Sequence, residues 1–152
     1  MQLPQTHSLA GVELASAFVL AIMRLSRRLR SERSDDTIGL SGLSTLSTLF
    51  GSGPLSPTAL AGRERIQPPS LTRVMSALET RGLIKRSPHP TDGRQTLISI
   101  TEVGKLIVQE DRRRRTAWLT QRVEQLSPKE RTRIAEVLPI LERFAAWNPS
   151  DS

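Results

Sequence analysis

Residues 54–101, PLSPTALAGRERIQPPSLTRVMSALETRGLIKRSPHPTDGRQTLISIT, confine the fold of this chain more than any other stretch. Ser56-Pro57 sets a capping hydroxyl before a proline at the first helical position, which starts a helix. Gln67-Pro68-Pro69-Ser70 is a second start signal. From there Leu71, Val74, Met75 and Leu78 fall at i, i+3, i+4 and i+7, so they share one helical face. Gly82 supplies the left-handed residue that ends such a helix, and Leu83 follows it as a hydrophobic stop contact. Two helices joined by a few residues form a helix-turn-helix unit. A short strand over 83–86 and a proline-rich loop come next. In a second strand Thr96, Ile98 and Ile100 alternate with Leu97, Ser99 and Thr101. Asp92-Gly93 is the turn signal at the tip. The fold class read from this order is mainly α with a small β-hairpin wing: a winged helix.

The outward face of the second helix carries the functional information. Pro69, Thr72, Arg73, Ser76 and Thr80 lie away from the apolar stripe. They are small or hydrogen-bonding, with one arginine near the helix start. A helix that enters a DNA major groove needs such a slim face, because its backbone must come close, and it needs donors near its N-terminus.

The run Leu78-Glu79-Thr80-Arg81-Gly82-Leu83-Ile84-Lys85-Arg86, then Asp92-Gly93-Arg94, then Leu97-Ile98-Ser99-Ile100-Thr101-Glu102-Val103-Gly104, resembles the MarR family of bacterial transcription regulators. That family pairs an L-E-x-x-G-L-[IV]-x-R helix end with a D-x-R wing tip and a strand that leads into T-x-x-G. The Pro68-Pro69 doublet departs from the family pattern, which more often has a single proline or a small polar residue. The resemblance implies a homodimer that binds double-stranded DNA. It also implies a crevice between the dimer helices and the winged domain, for a small aromatic or phenolic effector.

Composition sets outer bounds. At 152 residues the chain suits one domain with dimerising extensions. Lys and Arg number 22 against 15 Asp and Glu, a net charge of +7 that favours an anionic partner and says nothing about fold. There is no cysteine, which excludes disulfides, a thiol nucleophile and a thiol redox switch, and with them the thiol-sensing branch of the family. His7 and His89, the only histidines, are far apart in sequence, so no metal site is expected. No phosphate-cradling glycine loop or placed general base is legible, so the chain reads as a non-enzyme without cofactor.

The flanks read as helices. From Ser8 to Arg30, residues Leu9, Val12, Ala15, Val19, Ile22, Met23 and Leu29 form an apolar face. Its apolar centre is shorter than the ~20 residues that span a bilayer. Arg24, Arg27, Arg28 and Arg30 follow it rather than precede it, the reverse of a signal peptide. A cytoplasmic protein that does not bind membranes is the expectation. Leu40, Leu43, Leu46, Leu49 and Phe50 mark a supporting helix that ends at Gly51-Ser52-Gly53-Pro54. A helix from Thr101 loses its apolar stripe over QEDRRRRT, where Glu110 and Asp111 fall four residues before Arg114 and Arg115. Solvated ion pairs explain that run better than phosphate contacts do. Ser127-Pro128-Lys129-Glu130 is a capping box that opens a last helix, with Pro139 expected to kink it. The organisation reads as 1–39 N-terminal helix for dimerisation, 40–104 winged helix-turn-helix, and 105–152 C-terminal helices for dimerisation.

The candidate DNA-binding residues are Pro69, Ser70, Thr72, Arg73 and Ser76 on the recognition helix, and His89, Asp92, Gly93 and Arg94 in the wing. Arg63, Arg65, Lys85 and Arg86 are the candidate phosphate contacts. Arginine can bond guanine O6 and N7 together, which singles out Arg73. Arg94 suits a narrow A·T-rich minor groove. Asp92 is read as orienting Arg94 or a nearby arginine, as the family's motif implies. The alternative is a winged helix that binds protein rather than DNA, since fold alone never fixes function.

Overall fold

A computed structural model describes residues 11–32 and 36–146. Residues 8–10 of the expected first helix lie outside that range. The chain runs α1 (Gly11–Arg30), a short 3-10 turn (Asp36–Ile38), α2 (Gly39–Ser52), α3 (Pro57–Glu64), α4 (Pro68–Thr80), β1 (Ile84–Pro88), β2 (Thr96–Ile100), α5 (Glu102–Val123) and α6 (Pro128–Ala146). It divides into two compact units, residues 1–115 and 116–152.

The first unit holds the core. Leu43, Leu46 and Leu49 of α2 pack with Leu60 and Ala61 of α3, with Leu71, Met75 and Leu78 of α4, and with Leu83, Ile84, Ile98 and Val108. The helical spacing read from the sequence therefore meets at one centre, and α2 backs the helix-turn-helix as expected. Ser56 caps α3, its hydroxyl accepting from Ala59 N at 3.2 Å. The turn between α3 and α4 is Arg65-Ile66-Gln67. Arg65 adopts the left-handed conformation there (φ 52°), a position where glycine is the usual occupant and which the sequence does not advertise.

Helix α4 ends as its sequence dictates. Gly82 has φ 68°, Leu83 N donates to Leu78 O at 2.9 Å, and Gly82 N donates to Glu79 O at 2.8 Å. These two bonds are the Schellman pair, and they satisfy carbonyls the helix end would leave bare. Because Leu83 serves that stop, β1 begins one residue later than expected. It extends to Pro88, opposite Thr96. The antiparallel hairpin pairs Ile84 with Ile100 and Arg86 with Ile98, and Leu55 adds a bridge to Ile98 on its outer side.

The T-x-x-G segment locks the hairpin to the end of α4. Thr101 Oγ1 donates to Gly82 O at 2.7 Å, Thr101 N to Leu83 O at 3.0 Å, and Gly104 N to Thr101 Oγ1 at 3.2 Å. A Cβ at Gly104 would run into the Leu83 carbonyl oxygen and Ile100. Glycine is required by that approach. Residues 78–83 and 101–104 are therefore one interlocked joint.

In α1, the residues Val12, Leu14, Val19, Leu20, Ile22, Met23 and Leu25 are exposed, and the helix buries none of its described residues. In the second unit, α6 likewise exposes Ile134, Val137, Leu138, Ile140 and Phe144. Ser127 and Glu130 form the expected capping box, with Ser127 N donating to Glu130 Oε2 at 2.8 Å. Pro139 lies inside α6, which continues through it to Ala146. No helix among the described residues is long and apolar enough to cross a membrane.

Candidate nucleic-acid interface

Pro68 and Pro69 occupy the first two positions of α4 and pre-set its backbone for the helix. With Leu71, Met75 and Leu78 buried, the opposite face is fixed: Pro69, Ser70, Thr72, Arg73 and Ser76 are all exposed. The helix thus brings the five predicted residues onto one accessible surface. Thr72 turns its hydroxyl back onto Pro68 O at 2.9 Å, and Thr80 does the same to Ser76 O at 2.9 Å. Arg73 lines a cavity of about 300 Å³ beside the start of α2, together with Arg81, Thr37 and Gly39.

The wing is held by its own polar residues. Asp92 Oδ1 accepts from Arg94 N at 3.1 Å, and Asp92 Oδ2 accepts from Gln95 Nε2 at 3.0 Å. His89 N donates to Gln95 O at 2.9 Å, and His89 Nδ1 accepts from Thr91 N at 3.3 Å. Asp92 therefore fixes the backbone at Arg94, whose exposed guanidinium has no carboxylate within ion-pair distance among the described residues. Gly93 is exposed at the same tip. Gln95, whose side chain clamps the turn, carries no sequence signal for that role.

The basic residues separate into compensated and open charges. Arg86 reaches back from β1 to Glu79 on α4 at 3.0 Å, so the E and R of the family motif are an ion pair that ties strand to helix. Arg63 donates to the Ser52 hydroxyl. Among the described residues Arg65, Arg73, Lys85 and Arg94 have no carboxylate within ion-pair distance.

The four arginines of the α5 run are engaged by two carboxylates and one aromatic ring. Arg113 and Arg114 both bond Glu110 at 2.8 Å. These contacts pull the Glu110 carboxyl down to about 2, the Arg113 hydrogen bond first and the Arg114 hydrogen bond next, and Arg113 is raised in return. Arg115 pairs with buried Asp111 at 2.9 Å, and Arg112 stacks over Phe50 at 4.8 Å from the ring centroid. The i+4 pairs were legible in the sequence; the contact with Phe50 was not.

A second cavity, about 400 Å³, lies between α1, α2 and α5, lined by Ser26, Leu29, Arg30, Leu43, Ser47 and Arg115. Arg115 Nε is buried without a partner. Among the described residues no group of histidine, aspartate and glutamate could hold a metal ion.

Comparison with known proteins places this geometry. The MarR family model matches residues 40–96, which run from α2 to the start of β2. The chain is 48% identical over 122 residues to an uncharacterized HTH-type transcriptional regulator of Mycobacterium bovis, Mb0904, covering 80% of this chain and 85% of that protein. The crystal structure of RV1404 from Mycobacterium tuberculosis superposes with a TM-score of 0.82 at 26% identity, covering 95% of this chain and 100% of that one. Apo MarR from E. coli shares the fold at a TM-score of 0.70 and 21% identity, covering 84% of this chain and 96% of its own. With the helix-turn-helix, the wing and the interlocked T-x-x-G joint in place, the chain belongs to the MarR family of winged helix-turn-helix transcriptional regulators.

Proposed function

We propose that this regulator is a homodimeric repressor that reads a pseudo-palindromic operator and is released by a small aromatic or phenolic anion. The observation that carries the reading is the exposed face of α4 around Arg73, flanked by the open guanidinium of Arg94 at the wing tip. Arg73 would bond guanine O6 and N7 in the major groove, and Arg94 would enter the adjacent minor groove. Ser70 and Ser76 are free to bond phosphates or base edges. Asp92 holds the backbone of Arg94, and His89 and Gly93 are the further candidate contacts of the same wing.

The exposed apolar faces of α1 and α6 support dimerisation, because contiguous apolar surface marks an association site. A two-fold dimer would set two recognition helices about 34 Å apart, matching half-sites one helical turn apart. Binding over a promoter would block polymerase. The cavity between α1, α2 and α5 suits an anionic ligand, since the Arg30 side chain lines it. A ligand that prefers one spacing of the reading heads shifts the population toward it, which is the coupling that release requires.

The test is fluorescence anisotropy on duplexes from the region upstream of the protein's own gene, against a scrambled duplex, across a salt series. Arg63, Arg65 and Lys85 at the phosphates and Arg94 in the minor groove are the four cations counted, with Arg86 left out of the count because it is paired with Glu79. Neutralisation by those four in each protomer gives a slope of log K against log[salt] of about −7, or about 10⁴-fold between 50 and 200 mM salt. Arg94→Ala should weaken binding and flatten that slope without unfolding the protein. Equal affinity for native and scrambled duplexes would refute site-specific regulation. No binding at low salt would favour the protein-binding alternative.

A further inference from the structure

The first turn of the recognition helix has an unusual chemistry. A helix N-terminus normally offers unpaired backbone N–H groups, and these make it a phosphate-binding end. In α4 the first two positions are Pro68 and Pro69, which have no N–H. The next two amides are already bonded: Ser70 N and Leu71 N both donate to Gln67 O, at 3.0 and 3.1 Å. From Pro68 to Leu71 no backbone donor is left for a ligand.

The side chains continue the pattern. Pro69 and Thr72 are three residues apart, neighbours on the helix surface, and both are exposed. Thr72 has spent its hydroxyl proton on Pro68 O at 2.9 Å, so the γ-methyl is what this exposed side chain has left to offer a ligand. The leading edge of the helix is therefore a small hydrocarbon step, with the donor-rich Arg73 next to it. In the major groove the one apolar group a base presents is the C5-methyl of thymine.

We propose that Pro69 and Thr72 form an apolar step that reads a thymine C5-methyl in each half-site, beside the base contacted by Arg73. The step rests on the DNA-reading function proposed above and adds a specificity that function does not require. It makes Thr72 a specificity-determining residue through carbon contact, with its hydroxyl serving the helix alone. A carbon contact of this kind is worth about fourfold in affinity for each methyl buried, hence about 15-fold for two symmetric half-sites.

The experiment uses the full-length protein and a duplex that it selects from a random pool. Each thymine is replaced in turn by deoxyuridine, which keeps every hydrogen-bonding group and lacks only the methyl. Wild-type protein should lose about 15-fold when the contacted thymine is replaced in both half-sites. Thr72→Val keeps a methyl and drops the hydroxyl, so it should retain the preference for thymine over deoxyuridine. Thr72→Ser keeps the hydroxyl and drops the methyl, so it should bind the two duplexes within about twofold of each other. Tight, sequence-selective binding that is indifferent to deoxyuridine at every position would overturn the methyl contact and leave the regulator intact. The reverse order, with serine keeping the preference and valine losing it, would overturn it in favour of hydroxyl recognition. Failure to enrich any sequence from the pool would overturn the DNA-reading function and this inference with it.

Discussion

Gly104→Ala tests the close approach at the joint between the recognition helix and α5. The added methyl would meet the carbonyl oxygen of Leu83 and the side chain of Ile100. Ile100 can shift, because it is a half-buried side chain. The Leu83 carbonyl cannot, because it accepts from Thr101 N at 3.0 Å and its own amide is bonded to Leu78 O at 2.9 Å. Overpacking against fixed backbone costs about 3 kcal/mol, the upper end of its usual range. Alanine recovers about 1 kcal/mol in helix propensity over glycine. The net is about 2 kcal/mol of destabilisation, which for a chain of this length lowers Tm by about 4–8 °C. Gly51→Ala is the matched comparison: Gly51 also lies in a helix, but nothing stands within 4 Å of its added Cβ. That variant should hold or gain stability, by at most about 1 kcal/mol. Thermal melts followed by circular dichroism at one protein concentration separate the two, since a dimer's Tm depends on concentration. Gly104→Ala melting at or above the wild type would refute the close approach, and with it the interlocked reading of the T-x-x-G motif.

Two further outcomes follow from the local chemistry. Ser127→Ala removes the hydroxyl that bonds Glu130 Oε2 at 2.6 Å and should cost about 1 kcal/mol of helix stability. Hydrogen exchange should then run about fivefold faster in the first turn of α6 and unchanged in α4; uniform exchange across both helices would contradict a local cap. Glu110, held down by the Arg113 and Arg114 hydrogen bonds, should titrate at about 2 by carboxyl NMR. Its folded value is depressed, so its contribution to stability is complete above the unfolded value near 4.5 and is lost as pH falls toward 2. A midpoint near 4.5, or acid unfolding unchanged in Glu110→Gln, would show that the arginine fork does not hold in solution.

The parts of the fold that were legible in the sequence are those whose cause is local. Ser56 before Pro57, Gly82 before Leu83 and Ser127 three residues before Glu130 each carry their own capping partner within a few positions, and each forms as read. The apolar spacing of α2 and α4 named Leu43, Leu46, Leu49, Leu71, Met75 and Leu78 as buried, because a 3.6 period leaves one choice of inward face, but Leu40 at the start of α2 is exposed and Phe50 and Val74 are half-buried. What was not legible is set by contacts across the chain. Arg65 takes a left-handed conformation with no glycine to announce it, because α3 must reverse into α4 within three residues. The Asp36–Ile38 turn falls in a polar stretch with no period at all. Arg30 and Arg115 meet at one cavity from helices far apart in sequence, so neither could be singled out.

The arginines show why residue counting and residue placement answer different questions. A net charge of +7 favours an anionic partner, yet it does not say which charges are available to one. The densest basic run, Arg112 to Arg115, is engaged within the protein: three of its guanidinium groups bond Glu110 and Asp111, and the fourth lies over Phe50. Arg86 stands inside the family motif, and Glu79 compensates it. Isolated residues that no charge pattern would select, Arg73 on an exposed helix face and Arg94 on a hairpin tip, keep their charge open. Their isolation is what frees them, since neither has a carboxylate within ion-pair distance among the described residues. In α4 the same logic extends to hydrogen bonds: two prolines and one back-bonded threonine remove donors from the leading turn, so Arg73 is left as the strong donor beside an apolar edge. A reading head built that way would discriminate by few contacts of unlike chemistry, a charged fork and the proposed methyl step.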